Sequence, residues 1–385
     1  MALQFDPLRL PPHCQALREE VRQFLAEEIQ AGTFDPKNPV VDIVQSKAFA
    51  KEVAAKGWIG MTWPKAYGGQ ERSFLERYVV SEEMLLARAP VRHYFVADRQ
   101  SGPTLIRYGS EAIKQEVLPR IVRGEVSFCI GMSEPNSGSD LFAASAKATP
   151  IEGGWLLNGS KIWTSNAHNA DYMIGIFRTS PATREDRRHG LTSLLVDMKT
   201  PGITCNPIMH MAGAHEFNEV VFQDAFIPRS HLIGEVDAAW KQATSELAYE
   251  RSGPERFLET FDALRLLVDA VDAKSADTRL AVGLGRLVGQ LHTLRRMSVS
   301  VAGMLASGKE PVVEAAIVKD LGTVWEQALP HRVRELAAFL EEDLPGVQAL
   351  QQRLLHETRI APKLTIQGGT TEILRGIIAR GLGLR

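Results

Sequence analysis

The sequence predicts a mostly α-helical protein with a β segment at its centre, and three observations carry that prediction. Up to about residue 125 apolar residues recur at helical spacing: Leu17, Val21, Phe24 and Leu25 stand at i, i+4, i+7 and i+8, and Val79, Met84 and Leu85 mark a second amphipathic stretch. From about 126 to 235 the apolar runs shorten, as at 194–196 and 220–222. Gly153-Gly154 and Asn158-Gly159 punctuate them in the manner of strands and turns. After Trp240 helical spacing returns, with Leu280, Leu284, Leu287, Val288 and Leu291 on one expected face. The expected layout is an N-terminal helical domain over 1–125, a small middle β-barrel domain over 126–235 and a C-terminal four-helix bundle over 236–385.

Length and composition agree with this layout without requiring it. A chain of 385 residues buries a substantial core and divides into two or three domains. Its 44% hydrophobic and 23% charged content is that of a soluble protein. With 44 basic against 46 acidic residues, the net charge of -2 offers no field for nucleic acid or an anionic membrane, so a polyanionic ligand has to be held locally. Cys14, Cys129 and Cys205 lie far apart with no C-x-x-C, which suggests neither a disulfide framework nor a zinc site. No basic-then-apolar leader, long apolar run or lipidation motif is found, and the expected location is cytoplasmic. There is no internal repeat, and the nearest approach to low complexity is the Ala/Asp-rich stretch at 269–277.

The most informative stretch is 131–143, Gly131-Met132-Ser133-Glu134-Pro135-Asn136-Ser137-Gly138-Ser139-Asp140-Leu141-Phe142-Ala143. Such a run presents backbone N–H groups with little bulk before them, and can wrap closely around pyrimidine carbonyls or a pyrophosphate. By composition alone an ordinary polar connection explains it equally well. The whole pattern, G-[apolar]-S-E-x-x-S-G-S-D-x-x-A, resembles position by position the first signature of the acyl-CoA dehydrogenase family. Other phrases similar to that family follow in order over nearly the whole chain. They are Gly57 to Gly60 with Trp63 to Gly69, Tyr108-Gly109 through Pro119 to Gly124-Glu125, Lys161 to Ala167 with Ala170-Asp171, Asn218-Glu219-Val220 with Ile227-Pro228, and Gly368 to Ile373.

The resemblance implies an FAD enzyme that desaturates an acyl-CoA thioester between Cα and Cβ and passes its electrons to an electron-transfer flavoprotein. A flavin takes hydride at N5 and ends with negative charge over N1 and the C2 carbonyl, so donors are needed at both ends. By resemblance, the backbone near Met132 and Ser133 faces the pyrimidine edge, and Gly138 and Ser139 approach the pyrophosphate, Ser139 also serving the substrate. Trp163 lies against the ring system with Thr164 beside it. The Ser165 hydroxyl reaches toward N5, where relatives commonly carry Thr. A Trp in a strand is usually a core residue, but Ser165 and Asn166 follow it here at the family spacing. Gly369, Thr370 and Glu372 in the C-terminal phrase are implied as further cofactor contacts.

Many relatives place the catalytic glutamate immediately before the final Gly-Thr, and here that position is Gly368. A minority carry it on the first long helix after the barrel, just before an arginine. This chain reads Leu247-Ala248-Tyr249-Glu250-Arg251 there, so Glu250 is the expected base and Arg251 a substrate contact. A carboxyl of ordinary pKa about 4.3 becomes an effective base when burial beside an acyl chain raises it. Gly368 still offers a backbone N–H to the thioester carbonyl, and its missing side chain leaves room for branched or cyclic acyl groups. The ending resembles bacterial relatives that act on steroid side chains or other bulky acyl groups, some of which pair two different subunits.

Other positions depart from the family. Relatives often have an aspartate at the position of Ala248, and the R-x-x-F pair and Q-x-x-G-G-x-G loop that complete a neighbour's adenine site are not recognisable in 251–365. Arg279 is the nearest candidate for that arginine, or else a plain surface charge. His215 is expected to be structural, and His210 with Glu216 lacks metal-site spacing, so no metal is expected. The expected assembly is a homo-oligomer, dimer or tetramer, or a hetero-oligomer with a related subunit. Two rival functions stand beside the dehydrogenase: a flavin oxidase or monooxygenase of the same fold on a substrate that is not a CoA ester, and a non-catalytic partner subunit of a heteromeric enzyme.

Overall fold

Several helix starts in this chain carry capping side chains. Ser73 forms a full capping box with Glu76, Asp277 accepts from the N–H of Arg279 at 2.7 Å, and Thr370 accepts from the N–H of Ile373 at 3.4 Å. The structure, a computed structural model, describes residues 3–38, 43–183, 186–240, 242, 251–271, 277–341 and 346–384. In chain order its longer elements are α1 (Pro12–Gln30), α2 (Ile43–Ala55), α3 (Phe74–Leu86), α4 (Arg92–Val96), α5 (Gly102–Tyr108) and α6 (Glu111–Val122). The strands follow: β1 (Phe128–Gly131), β2 (Lys147–Ile151), β3 (Gly154–Ser165), β4 (Tyr172–Arg178), β5 (Leu191–Asp197), β6 (Ile203–Met209), β7 (His215–Pro228) and β8 (Leu232–Ile233). Last come α7 (Phe261–Ala270), α8 (Thr278–Ala306), α9 (Val312–Ala337), α10 (Val347–Ile360) and α11 (Thr371–Gly381).

The chain divides into two compact units that cut across the sequence order. One comprises Met1–Pro39, Ser73–Ala89 and Ala248–Arg385, and the other Val40–Arg72 and Pro90–Leu247.

In the second unit the strands run in the order β6-β7-β3-β2-β4-β5-β8, with β1 parallel to β4. The end strands β6 and β8 do not pair among the described residues, so the observed sheet is an open path where the sequence suggested a closed barrel. Its core gathers Cys129, Trp155, Leu157, Met173, Phe177, Leu194, Val196, Val220 and Phe222 on one face. Close packing explains the first glycine of the signature, because a Cβ on Gly131 would stand 2.4 Å from Met173 Sδ. Gly153, at φ +80, turns β2 into β3 as expected. Asn158-Gly159 is different: it lies inside β3 opposite a bulge in β7, where Asn158 and Asp224 exchange bonds of 2.9 and 3.1 Å. An Asn-Gly pair marks positive-φ freedom, and here that freedom serves a bulge with Gly159 at φ +128 instead of a turn.

In the first unit helices surround a core of Phe257, Leu264, Leu280, Leu287, Leu294, Trp325, Leu329 and Leu350. The buried face of α8 repeats every seven residues, which leaves Val288, expected on the apolar face, 50% exposed. Buried ions fasten the helices: Arg18 pairs with Glu82 at 2.8 Å and with Glu83, and Arg295 of α8 reaches Glu82 at 2.6 Å. Asp262 of α7 joins Arg353 at 2.9 Å and Arg265 at 2.6 Å. No helix among the described residues is long and apolar enough to cross a membrane.

Candidate functional site

Strand β3 alternates inward and outward until Lys161, and Trp163 should then point inward with it. It does not. Between the pairs Lys161↔Val220 and Thr164↔Asn218, two residues of β3 oppose one of β7. Trp163 sits in that bulge at φ +58, a left-handed conformation unusual for an aromatic residue. The bulge re-aims the indole, which is 58% exposed and touches Phe217 edge-on at 6.1 Å between centroids. Thr164 turns inward, and its buried Oγ1 has no partner among the described residues. Asn218 fixes the strand end by donating Nδ2–H to the Thr164 carbonyl at 3.0 Å. Ser165, the last residue of β3, is exposed, and Asn166, at φ +57, donates its N–H to the Glu216 carbonyl at 2.8 Å.

The glycine-rich segment is tied to the same strand. Ile162 donates its N–H to the Ser133 carbonyl at 2.8 Å, and Lys161 Nζ reaches the Met132 carbonyl at 3.3 Å. Reciprocal bonds between Glu134 and Ser137, 2.7 and 3.0 Å, close a tight turn with Pro135 and Asn136 at its exposed tip. Gly138 and Ser139 follow, both exposed, and a Cβ on Gly138 would meet nothing within 4 Å. Arg178 then pins the chain beyond, donating to the carbonyls of Phe142 at 2.6 Å, His189 at 2.7 Å and Ala144 at 3.2 Å.

Beneath this surface lies a buried ion pair that sequence reading passed over. Lys161 Nζ and Glu134 Oε1 are 2.7 Å apart, and both residues are almost fully buried. The Glu134 carboxylate also accepts from the N–H groups of Ser145 at 2.6 Å and Ala146 at 3.0 Å, and from Ser145 Oγ at 2.9 Å. Burial alone would raise the Glu134 carboxyl, but the Lys161 ammonium and the two N–H groups outweigh it and hold it below the usual range. The available signal was a lysine in a strand whose earlier inward residues, Trp155 and Leu157, are apolar.

Glu250, the base expected from the sequence, lies outside the described residues, as do Ala248 and Tyr249. The next residue, Arg251, is buried, and a Cβ on Gly369 would stand 3.2 Å from its Nη2, so two residues expected from sequence meet there. Gly368 and Gly369 both have left-handed backbones, φ +68 and +96. Thr370 caps α11, and Glu372 is exposed in its first turn. Its own backbone N–H, with the Thr370 hydroxyl, holds its carboxyl below the ordinary value.

Arg279 lies in the same unit, paired with its own N-cap Asp277 at 2.9 Å and stacked over the Phe339 ring at 4.4 Å. It lines a cleft of about 610 Å³ together with Arg286, Gln290, Arg332 and Phe339. His215 stacks on His168 at 3.7 Å and bonds Asn218 at 2.8 Å, a structural arrangement. No cluster of metal-binding residues occurs among the described residues.

The residues around 131–139 and 163–165 fit a flat ring with a pyrophosphate tail: an exposed indole held outward by a bulge, and an exposed glycine loop with open space before Gly138. Comparison with known proteins gives the same direction. The family models for the acyl-CoA dehydrogenase N-terminal and middle domains match residues 11–125 and 129–225. Acyl-CoA dehydrogenase IpdE1 of Mycolicibacterium smegmatis is 34% identical over 96% of this chain and 97% of its own length. Acyl-CoA dehydrogenase FadE26 of Mycobacterium tuberculosis is 31% identical over 97% of each. Among solved structures, the ChsE4-ChsE5 complex from Mycobacterium tuberculosis matches with a TM-score of 0.82 at 28% identity, covering 98% of this chain and 99% of that one.

Proposed function

This chain belongs to the acyl-CoA dehydrogenase family, and from that membership we propose that it is an FAD-dependent dehydrogenase that introduces an α,β double bond into a bulky, branched or cyclic acyl-CoA. The observation that carries the reading is the bulge that turns Trp163 outward beside the 131–143 signature. FAD, when bound, supplies the acceptor for the β-hydride and the route by which electrons leave to an electron-transfer flavoprotein.

The chain's own residues do the rest. The backbone at Met132 and Ser133 holds the pyrimidine edge, Gly138 and Ser139 meet the pyrophosphate, and Trp163 and Thr164 bear the ring, with the Ser165 hydroxyl toward N5. Gly369, Thr370, Glu372 and the Arg279 cleft are assigned to the rest of the cofactor. Glu250 removes the α-proton, Gly368 offers its N–H to the thioester carbonyl, and Arg251 and Ser139 position the substrate. A carbonyl so bound acidifies the α-carbon, and a base at Cα then needs only a modest rise in pKa. We assign the three domains to 1–125, 126–235 and 236–385, the last with a four-helix bundle, and the location to the cytoplasm. The assembly is a dimer or tetramer, with itself or with a related second chain.

The test is a panel of acyl-CoA esters mixed anaerobically with the purified protein. Bleaching of the flavin by a bulky ester, with slow reoxidation in air, is the expected result. Rapid reoxidation by air would support the oxidase reading, and a protein that never takes up FAD would support the partner-subunit reading.

A further inference from the structure

We propose that the buried Lys161–Glu134 pair is a positioning and tuning device for the bound flavin, acting through the single peptide unit that joins Met132 to Ser133. This rests on the reading that the Ser133 N–H faces the pyrimidine edge. The carbonyl of that peptide is the Met132 oxygen, which accepts from Lys161 Nζ at 3.3 Å. The N–H at its other end belongs to Ser133. An ammonium on the carbonyl polarises the peptide and makes its N–H a stronger donor, and a low-dielectric surrounding amplifies the effect. Lys161 is fully buried, so water screens little of this charge.

The rest of the arrangement keeps the lysine in place and the peptide from turning. Glu134 Oε1 holds the ammonium at 2.7 Å while three donors from Ser145 and Ala146 saturate the carboxylate. The Ser133 carbonyl is fixed separately by Ile162 N–H at 2.8 Å. With both flanking carbonyls anchored on β3, the Ser133 N–H cannot rotate away when negative charge develops before it. Burying an ion pair is costly and a hydrophobic pair of similar volume serves stability as well or better. A charge that must strengthen one outward-facing donor gives this pair a reason to be ionic.

Lys161→Met, Lys161→Arg and the double variant Glu134→Gln/Lys161→Met separate tuning from support. Each protein is loaded with FAD, and two quantities are read: the dissociation constant of oxidised FAD and the midpoint potential of the bound flavin. In Lys161→Met the preference for reduced over oxidised flavin should fall about tenfold, a shift of about 30 mV to more negative potential for a two-electron couple. Lys161→Arg keeps the charge and the donor and should restore most of it. The double variant leaves no uncompensated buried charge, and should keep its fold and still show the negative shift. An unchanged potential in FAD-loaded Lys161→Met or in the double variant overturns the inference, as does an Arg variant that shifts as far as Met. A parent protein that takes no FAD overturns the cofactor reading itself, an outcome visible before any variant is compared.

Discussion

Lys319, fully buried on α9, donates a hydrogen bond from Nζ to the carbonyl oxygen of Gly369 at 2.8 Å. That bond locks a Gly-Gly turn whose φ angles, +68 and +96, suit glycine and few other residues. Gly369→Ala should therefore destabilise the protein by about 1–3 kcal/mol, and by more than Gly346→Ala. Gly346 has a comparable φ of +90 with nothing within 4 Å of its Cβ position, whereas at Gly369 the new methyl would press on Arg251 at 3.2 Å. Urea midpoints of the two variants check this, and equal losses would mean that the Arg251 contact adds nothing.

The purified protein is expected to carry non-covalent FAD, released on denaturation and identified by chromatography. Trp163→Ala should raise the FAD dissociation constant about tenfold, since an aromatic contact contributes about 0.5–1.5 kcal/mol beyond area burial. Its effect on unfolding should stay within about 0.5 kcal/mol, because the indole is 58% exposed. A large loss of stability with unchanged FAD affinity would identify Trp163 as a support residue.

Trp163 also shows where sequence reading stops. Alternation along β3 places it on the side of Lys161, toward the core, and only family spacing argued otherwise. The reversal comes from a bulge defined by pairing with β7, a non-local event that no window of β3 encodes. The heptad of Leu280, Leu287 and Leu294 was half visible, and Val288 was misplaced because a local apolar face does not say which neighbours cover it. The 131–143 loop was legible because its glycines and serines have local causes, the approach of Met173 to Gly131 and the reciprocal turn at Glu134 and Ser137. Its support by Lys161 was not, since an ion pair between residues 27 positions apart is invisible until β3 is folded beside the loop.

Stability should fall with rising pH through Glu357. Burial pushes its carboxyl from the ordinary 4.5 to about 9, against the pull of Arg353 and Arg88 and with a push from Asp262. The folded state then binds a proton that the unfolded chain has lost between about pH 4.5 and 9. Stability from this group is full below that window and declines across it, by up to about 1.4 kcal/mol per pH unit. Glu357→Gln cannot titrate, so its unfolding free energy should vary less between pH 6 and 8.5 than the parent's. Parallel curves for the two proteins would show that Glu357 is already ionised when folded.

Glu250→Gln should abolish dehydrogenation while leaving FAD content and spectrum intact. The amide is nearly isosteric, but it cannot accept a proton. Loss of general-base catalysis alone costs about 10²-fold to 10⁴-fold in turnover. Glu219→Gln is the control: it also lies in a family phrase, but on β7 its carboxylate meets Asn206 Nδ2 at 3.3 Å on an exposed surface. The base can be moved as well. Glu250→Gln with Gly368→Glu moves the carboxyl to the other position that the resemblance implies for the base, and should recover part of the rate on small straight acyl chains while excluding bulky ones. Recovery should be incomplete, because residue 368 has φ +68 and an L side chain there costs about 1–2 kcal/mol. Near-normal turnover of Glu250→Gln on its true substrate would instead remove Glu250 from the reaction and favour the oxidase or partner-subunit readings.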